Sequence, residues 1–322
     1  MGMLVDGKWT EDDGASMHTG GRYDRKPSTF RNWVTADGSS GFKAESGRYT
    51  LYCSRGCPWA HRTIIFRKLK GLDDAIGLNF TGRGTEGTGI SEQLPHTIPG
   101  TDVSATHLHE AYSLADPHFT GRVTVPVLWD AAERSIVNNE SSEIIRMLNA
   151  EFNAFAKHPE LDFYPEDLRA EIDELNAYIY ENVNNGVYRA GFALAQEAYE
   201  EAYDQVFAAL DTLEERLGKH RYLLGDRLTE ADLRLFPTLI RFDMVYHYAF
   251  KCNRQHLYEY HNLDNYFRDL YQMPGMADAC FPEEAKQGYW SLKRHNPTGI
   301  VPKGPVLDFW APHDRDRFQK AA

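Results

Sequence analysis

Apolar residues recur along this chain with two periods, and the change between them divides it. Tyr49 to Tyr52 reads as a strand; a polar turn follows, then an apolar helix over Pro58–Lys70 carrying Ile64, Ile65, Phe66 and Leu69. Ile76–Phe80 predicts a second strand. Thr81 to Gly100 is glycine-rich, and the run on to Gly121 shows no period. We expect a mobile loop over Gly82–Gly89 near the active-site cleft. Order returns with Val123–Trp129, a strand interrupted by Pro126, with Ser135–Val137 as its antiparallel neighbour. A helix opens at Ser141, with Ile144, Ile145 and Leu148 on its inner face. The second half is helical. Leu168, Ile172, Leu175 and Ile179 share one face, and Tyr199, Tyr203, Val206, Leu210, Leu213 and Leu217 share another. Thr229 caps a further helix, with Asp232 answering it at N3 and Leu228 paired with Leu233 as a staple.

The strand-helix-strand, then strand-strand-helix order, with a proline in the third strand, is the thioredoxin-like arrangement. It predicts an α/β thioredoxin-like domain over 47–150, a linker over 151–165 and an all-α domain over 166–281. Residues 1–46 are polar and irregular, but Phe30, Trp33 and Phe42 predict an extension packed on the body. Residues 282–322 are rich in Pro and Gly and predict a surface tail.

Composition narrows the partners. The 322 residues have room for about two domains at the usual ~100–200 residues each. A net charge of −12 argues against nucleic acid or anionic membranes. No apolar run is long enough to span a bilayer, and the start lacks a signal-peptide pattern. Cysteines at 53, 57, 252 and 280 are too sparse for a secreted disulfide framework, so a reducing, cytoplasmic setting is expected.

The chemistry centres on Cys57. It stands where strand meets helix, with Pro58 fitting N1 because its missing N–H costs nothing there. The N–H groups of Trp59 and Ala60 are then open to an anion, and the helix dipole favours thiolate over thiol. Arg55, His61 and Arg62 are candidate cationic neighbours. This is a cysteine placed to be a nucleophile. Val125-Pro126 is the second signal, since a cis bond there would offer the backbone of Val125 to a peptide-like ligand. The third is Asn139-Glu140-Ser141-Ser142, a helix start whose N–H groups and Ser141 hydroxyl suit a carboxylate while Glu140 suits an ammonium. Alone, Glu140-Ser141 would pass for a helix cap. Beside Cys57 and Val125, it describes a receptor for the γ-glutamyl end of glutathione.

The runs Cys57-Pro58-Trp59-Ala60-His61-Arg62, Gly121-Arg122-Val123-Thr124-Val125-Pro126-Val127 and Val137-Asn138-Asn139-Glu140-Ser141-Ser142 resemble the glutathionyl-hydroquinone reductases. These are the Xi-class, Omega-like glutathione transferases. Phe30–Val34, Val187–Phe192 and Asn296–Pro302 extend the resemblance over nearly the whole chain. It implies the glutathione transferase fold, a homodimer and glutathione as cosubstrate. By motif, Cys57 is the implied nucleophile; Arg122, Val125, Glu140 and Ser141 hold glutathione; Tyr188 and Tyr289 line the hydroquinone site. The implied reaction removes glutathione from a glutathionyl-hydroquinone through a Cys57–glutathione mixed disulfide. The alternatives are a glutathione-dependent lyase of aromatic ethers or thioethers, and a non-catalytic binding module.

Three positions depart from the family pattern. Thr81 to Gly100 contains no tryptophan where the family carries one, and Gly288-Tyr289 stands in place of a His-Tyr pair. Cys53 precedes Cys57 by four residues, a spacing that reads as strand packing rather than a dithiol centre. Neither remaining cluster carries the spacing of a known site. His107-Leu108-His109, near His96 and His118, lacks the cysteines and spacing of a zinc site, so these read as surface histidines and no metal is expected. The glycine run lacks the Lys-Ser/Thr of a phosphate loop.

Overall fold

A computed structural model describes residues 2–11 and 17–318. The chain forms two units: one holds the segment up to Met17 with Arg25–Leu161, the other His18–Asp24 with Asp162 onward.

The first unit is built on a four-stranded sheet of β1 (Tyr49–Cys53), β2 (Ile76–Phe80), β3 (Val127–Asp130) and β4 (Ser135–Asn138), in the order β4-β3-β1-β2. β1 and β2 are parallel and joined through α1 (Pro58–Leu69), while β3 runs antiparallel to β1 and β4. Leu51 sits opposite Leu78 on one side and Leu128 on the other. β3 is buried along its whole length, as expected of an inner strand covered on both faces. α3 (Ser141–Ala150) lies beside α1 and buries Ile144, Ile145 and Leu148.

Two expectations need correction here. The stretch before Pro126 is not strand: β3 begins only at Val127, since a proline has no N–H for the ladder. The run to Gly121 is not irregular, because α2 (Leu108–Ala115) lies within it. Leu108, Ala111 and Tyr112 are its buried positions at helical spacing, and the Glu110 carboxylate accepts the His107 N–H at 2.8 Å. That helix is short and its signal stands among glycines and histidines, so the pattern was too brief to separate from loop. Thr81–Gly100 itself carries short ladders, Gly82–Arg83 with Thr88–Gly89 and His96–Thr97 with Ser104–Ala105, and it buries Ile90 and Ile98 completely.

The N-terminal residues of this unit are tied to it. Leu4 exchanges backbone hydrogen bonds with Gly121, both at 2.9 Å. Phe30 packs against Tyr112 and Phe119 at 5.6 and 5.5 Å between ring centres.

The second unit is helical: α4 (Arg169–Ile179), α5 (Gly186–Phe192), α6 (Gln196–Leu217), α7 (Glu230–Arg241), α8 (His261–Gln272) and α9 (Pro282–Trp290). α7 is buried throughout and starts as its sequence predicts, with Thr229 as N-cap and the Asp232 carboxylate accepting the Thr229 N–H at 2.9 Å. Asp232 also accepts from Leu223 N–H and Tyr266 O–H, so this buried acid has a full set of donors. α9 lies within the expected surface tail, and Tyr289 on it is buried. Two π-helical turns, Tyr180–Asn184 and Phe242–Tyr246, interrupt the helices, one just before α5 and one after α7. Such turns re-aim the side chains that follow them. No helix among the described residues is long and apolar enough to cross a membrane.

Candidate active site

Cys57 is the N-cap of α1, with φ −77° and ψ 121°, and Pro58 follows at N1. The Ser54 carbonyl accepts the Cys57 N–H at 3.1 Å, and the Cys57 carbonyl accepts the first helical N–H, from His61, at 3.0 Å. The turn thus closes tightly enough to leave the sulfur at the helix mouth. It is half-buried, and Sγ stands 3.6 Å from the Val125 carbonyl oxygen. The Val125–Pro126 bond is cis. Two of the three signals read from sequence therefore meet in space.

The expected cations take distinct positions. Arg55 lies over the Phe80 ring at 3.8 Å and pairs with Glu92. His61 and Arg62 are buried in α1. Arg62 stacks on Trp59 at 4.6 Å and reaches Ser141 Oγ at 3.5 Å, linking the Cys57 helix to the start of α3. Cys53 is fully buried, its sulfur 3.4 Å from Thr63 Oγ1, and burial pushes its thiol up to about 12. At neutral pH it stays an inert thiol packed under the strand.

At the mouth of α3, Glu140 is the N-cap. Its carboxylate accepts from Ser142 N–H at 3.1 Å, Ser142 O–H at 2.9 Å and Ser28 O–H at 3.1 Å. Burial pushes this acid up, but the Ser142 donors, the Arg62 charge and Ser28 outweigh it and hold it below the usual carboxylate range. Glu140 is therefore an anion here, suited to an ammonium group. Ser141 is buried beside it, and Arg122 is half-buried ahead of β3.

Sequence reasoning missed the residue that connects these pieces. Tyr112, fully buried on α2, donates its hydroxyl to the Thr124 carbonyl at 2.8 Å. The same oxygen receives Thr124 N–H at 3.2 Å and Asn139 Nδ2 at 3.1 Å. One phenol therefore fixes both the segment entering Pro126 and the residue before Glu140. Its signal was the helical spacing of Leu108, Ala111 and Tyr112.

In the helical unit, Tyr188 on α5 and Tyr289 on α9 are hydroxyl to hydroxyl in a hydrogen bond. Tyr246, the last residue of the second π-turn, lies 3.4 Å from the Tyr289 hydroxyl. Burial, with the neighbouring Tyr289 next, raises Tyr246 well above an ordinary phenol, so it stays protonated. Phe192 and Phe250 wall this set, with Tyr188 stacked on Phe192 at 5.9 Å and edge-on to Phe250 at 5.4 Å. Gly191 permits that wall, since a Cβ there would lie 2.3 Å from the Phe250 ring. The sequence singled out Tyr188 and Tyr289; Tyr246, Phe192 and Phe250 went unread because single aromatic residues in a helical region usually belong to the core.

Residues 56–151 match the family described as "Glutathione S-transferase, N-terminal domain", and 196–268 its C-terminal domain counterpart. The chain is 48% identical to glutathionyl-hydroquinone reductase YqjG of Escherichia coli (strain K12), over 98% of this chain and 99% of that one. It is 47% identical to glutathionyl-hydroquinone reductase PcpF of Sphingobium chlorophenolicum, over 95% and 97%. Among solved structures, glutathione-bound YqjG superposes with a TM-score of 0.86 at 47% identity, covering 98% of this chain and 99% of that one. The Xi-class transferase of Natrialba magadii superposes with a TM-score of 0.89 at 46% identity, covering 99% and 97%.

Proposed function

The chain belongs to the Xi-class glutathione transferases, the glutathionyl-hydroquinone reductases, and on that footing we propose that it removes glutathione from glutathionyl-hydroquinones with Cys57 as nucleophile. The observation that carries this is the position of the Cys57 sulfur at the mouth of α1, 3.6 Å from the Val125 carbonyl. A peptide-like ligand hydrogen-bonded to Val125 would lie alongside that sulfur. Glu140, Ser141 and Arg122 complete the receptor: Glu140 takes the ammonium, Ser141 and the N–H groups of α3 take the α-carboxylate, and Arg122 adds positive charge.

The chemistry follows from the residue types. A thioether carbon is a poor leaving group until the ring is protonated at the carbon that bears sulfur, giving a keto tautomer. The Cys57 thiolate then attacks the glutathione sulfur, the C–S electron pair returns to the ring, and the hydroquinone leaves carrying the added proton at carbon. The product is a Cys57–glutathione disulfide. A second glutathione thiolate attacks it, freeing Cys57 and giving glutathione disulfide. Tyr188 and Tyr289 are the proposed proton carriers for the ring, since paired phenols can pass a proton along their hydrogen bond. The homodimer and the cytoplasmic setting belong to the same proposal. They are supported by the family membership and by the sparse, free cysteines.

The test is intact mass of the reduced protein after mixing with a glutathionyl-hydroquinone and no free glutathione. A glutathione adduct, with hydroquinone released and both absent in Cys57→Ser, is the expected result. No adduct on the unsubstituted protein would sink the mechanism.

A further inference from the structure

The fold brings Glu86 from the glycine-rich loop to His107 and His109 at the start of α2, with their ligand atoms all within 4.8 Å of one another. Neither the glutathione receptor nor the tyrosine set uses these residues. We propose that Glu86, His107 and His109 bind one divalent transition ion of the zinc class, with water as the fourth ligand. Two imidazoles and a carboxylate suit that class of ion.

One pair of donors already stands at the spacing of a shared ion, and the third is within 4.8 Å of both. Two donors each about 2.0–2.2 Å from zinc stand roughly 3.3–3.6 Å apart at a tetrahedral angle. His109 Nε2 lies 3.5 Å from Glu86 Oε2. That nitrogen is buried and makes no hydrogen bond. His107 presents the right tautomer. Thr106 Oγ1 is 2.8 Å from His107 Nδ1 and 3.2 Å from Glu110 Oε1. A carboxylate can only accept, so the Thr106 hydroxyl donates to Glu110 and receives Nδ1–H. Nε2 is then left with its lone pair, facing the Glu86 N–H at 3.3 Å and Thr85 Oγ1 at 3.2 Å. These are long contacts in an exposed loop, where water can take over the freed groups. The Glu110–Thr106–His107 chain is the outer support that metal-binding imidazoles characteristically carry.

The rings are also held in place. His109 is stacked between Trp9 at 5.0 Å and His107 at 5.3 Å. The glycines of the loop explain how it comes so close. A Cβ on Gly84 would lie 2.5 Å from His107 Cδ2, and one on Gly87, at φ +81°, would lie 2.3 Å from the Trp9 ring. Glu86 sits between those two glycines, so the loop that reads as mobile in sequence is shaped to deliver a carboxylate to two imidazoles. The sequence argued against a metal by its spacing and its lack of cysteines, but the third ligand comes from 21 positions before His107.

The test is zinc titration by calorimetry on the untagged full-length protein carrying Cys57→Ser, so that the half-buried Cys57 sulfur cannot compete, after stripping with a chelator. One zinc ion per chain is expected, with Glu86→Gln and His109→Ala each weakening it at least ten-fold and His118→Ala leaving it unchanged. Cobalt should give the intense visible bands of a four-coordinate site, lost in His109→Ala. Glu86 is exposed, so Glu86→Gln reports on ligation and not on folding. No zinc binding, or binding that neither Glu86→Gln nor His109→Ala weakens, overturns the proposal. It stands independently of the reaction proposed above.

Discussion

The Tyr112 hydroxyl and the Thr124 backbone bond each other in both directions, the phenol donating to the carbonyl at 2.8 Å and receiving the N–H at 3.2 Å. With Asn139 Nδ2 at 3.1 Å, every hydrogen-bonding capacity of that oxygen is used. Tyr112→Phe keeps the ring in the core and removes only this junction. We expect a loss of about 1–3 kcal/mol in stability. Glutathione affinity should fall about ten-fold, because Val125 and Glu140 lose their common support. Calorimetric glutathione binding with Tyr112→Phe checks this, and unchanged affinity would show that the junction serves packing alone.

The Tyr188–Tyr289 pair should act as one unit. Tyr188→Phe and Tyr289→Phe are each expected to slow turnover of glutathionyl-hydroquinone about a hundred-fold, the lower range of general-acid contributions. The double substitution should be little worse than either single one. Modification of Cys57 by glutathione disulfide, which needs no ring protonation, should proceed at the unsubstituted rate. Multiplicative losses in the double variant would mean separate roles.

His295 makes stability depend on pH. Its ring is edge-on to Phe192 at 4.6 Å, its Nε2 is buried without a hydrogen bond, and burial, then Lys251 and Arg294, push it down to about 4. Between the ordinary value of 6.5 and about 4 the unfolded chain holds a proton there that the folded chain does not. Stability should therefore fall as pH drops through that window, and His295→Gln should flatten the slope. Urea unfolding at several pH values between 7.5 and 4.5 decides it; parallel curves for the two proteins would refute the assignment.

How much of this was legible in the sequence depended on how local each signal was. Cys57-Pro58 needs only its neighbours to define a helix start, and α1 begins where that pair places it. Thr229 and Asp232 are likewise a closed local device, and their hydrogen bond is present. Glu140 as a helix cap was equally local. What escaped depended on partners far along the chain. Tyr112 matters because of Thr124 and Asn139, and nothing near position 112 announces either. The Gly82–Gly89 run looked loose because glycine is permissive. Two of its glycines, Gly84 and Gly87, are instead places where His107 and Trp9 come too close for a side chain. Tyr246 was hidden by a π-turn, whose extra residue breaks the spacing from which a helix face is read.

The membership of residues 18–24 in the helical unit bears on how this protein can be taken apart. Tyr23 stacks with Tyr188 at 6.5 Å, Arg22 pairs with Glu201, and the Leu194 N–H donates to the Gly21 carbonyl at 2.8 Å. During synthesis this segment emerges well ahead of its partners, which lie more than a hundred and fifty positions later in the chain. A gene cut after Leu161 would yield a helical fragment missing a piece of its own wall. Neither half is a contiguous stretch of the gene, so modular exchange between relatives has to carry the early segment along with the late one.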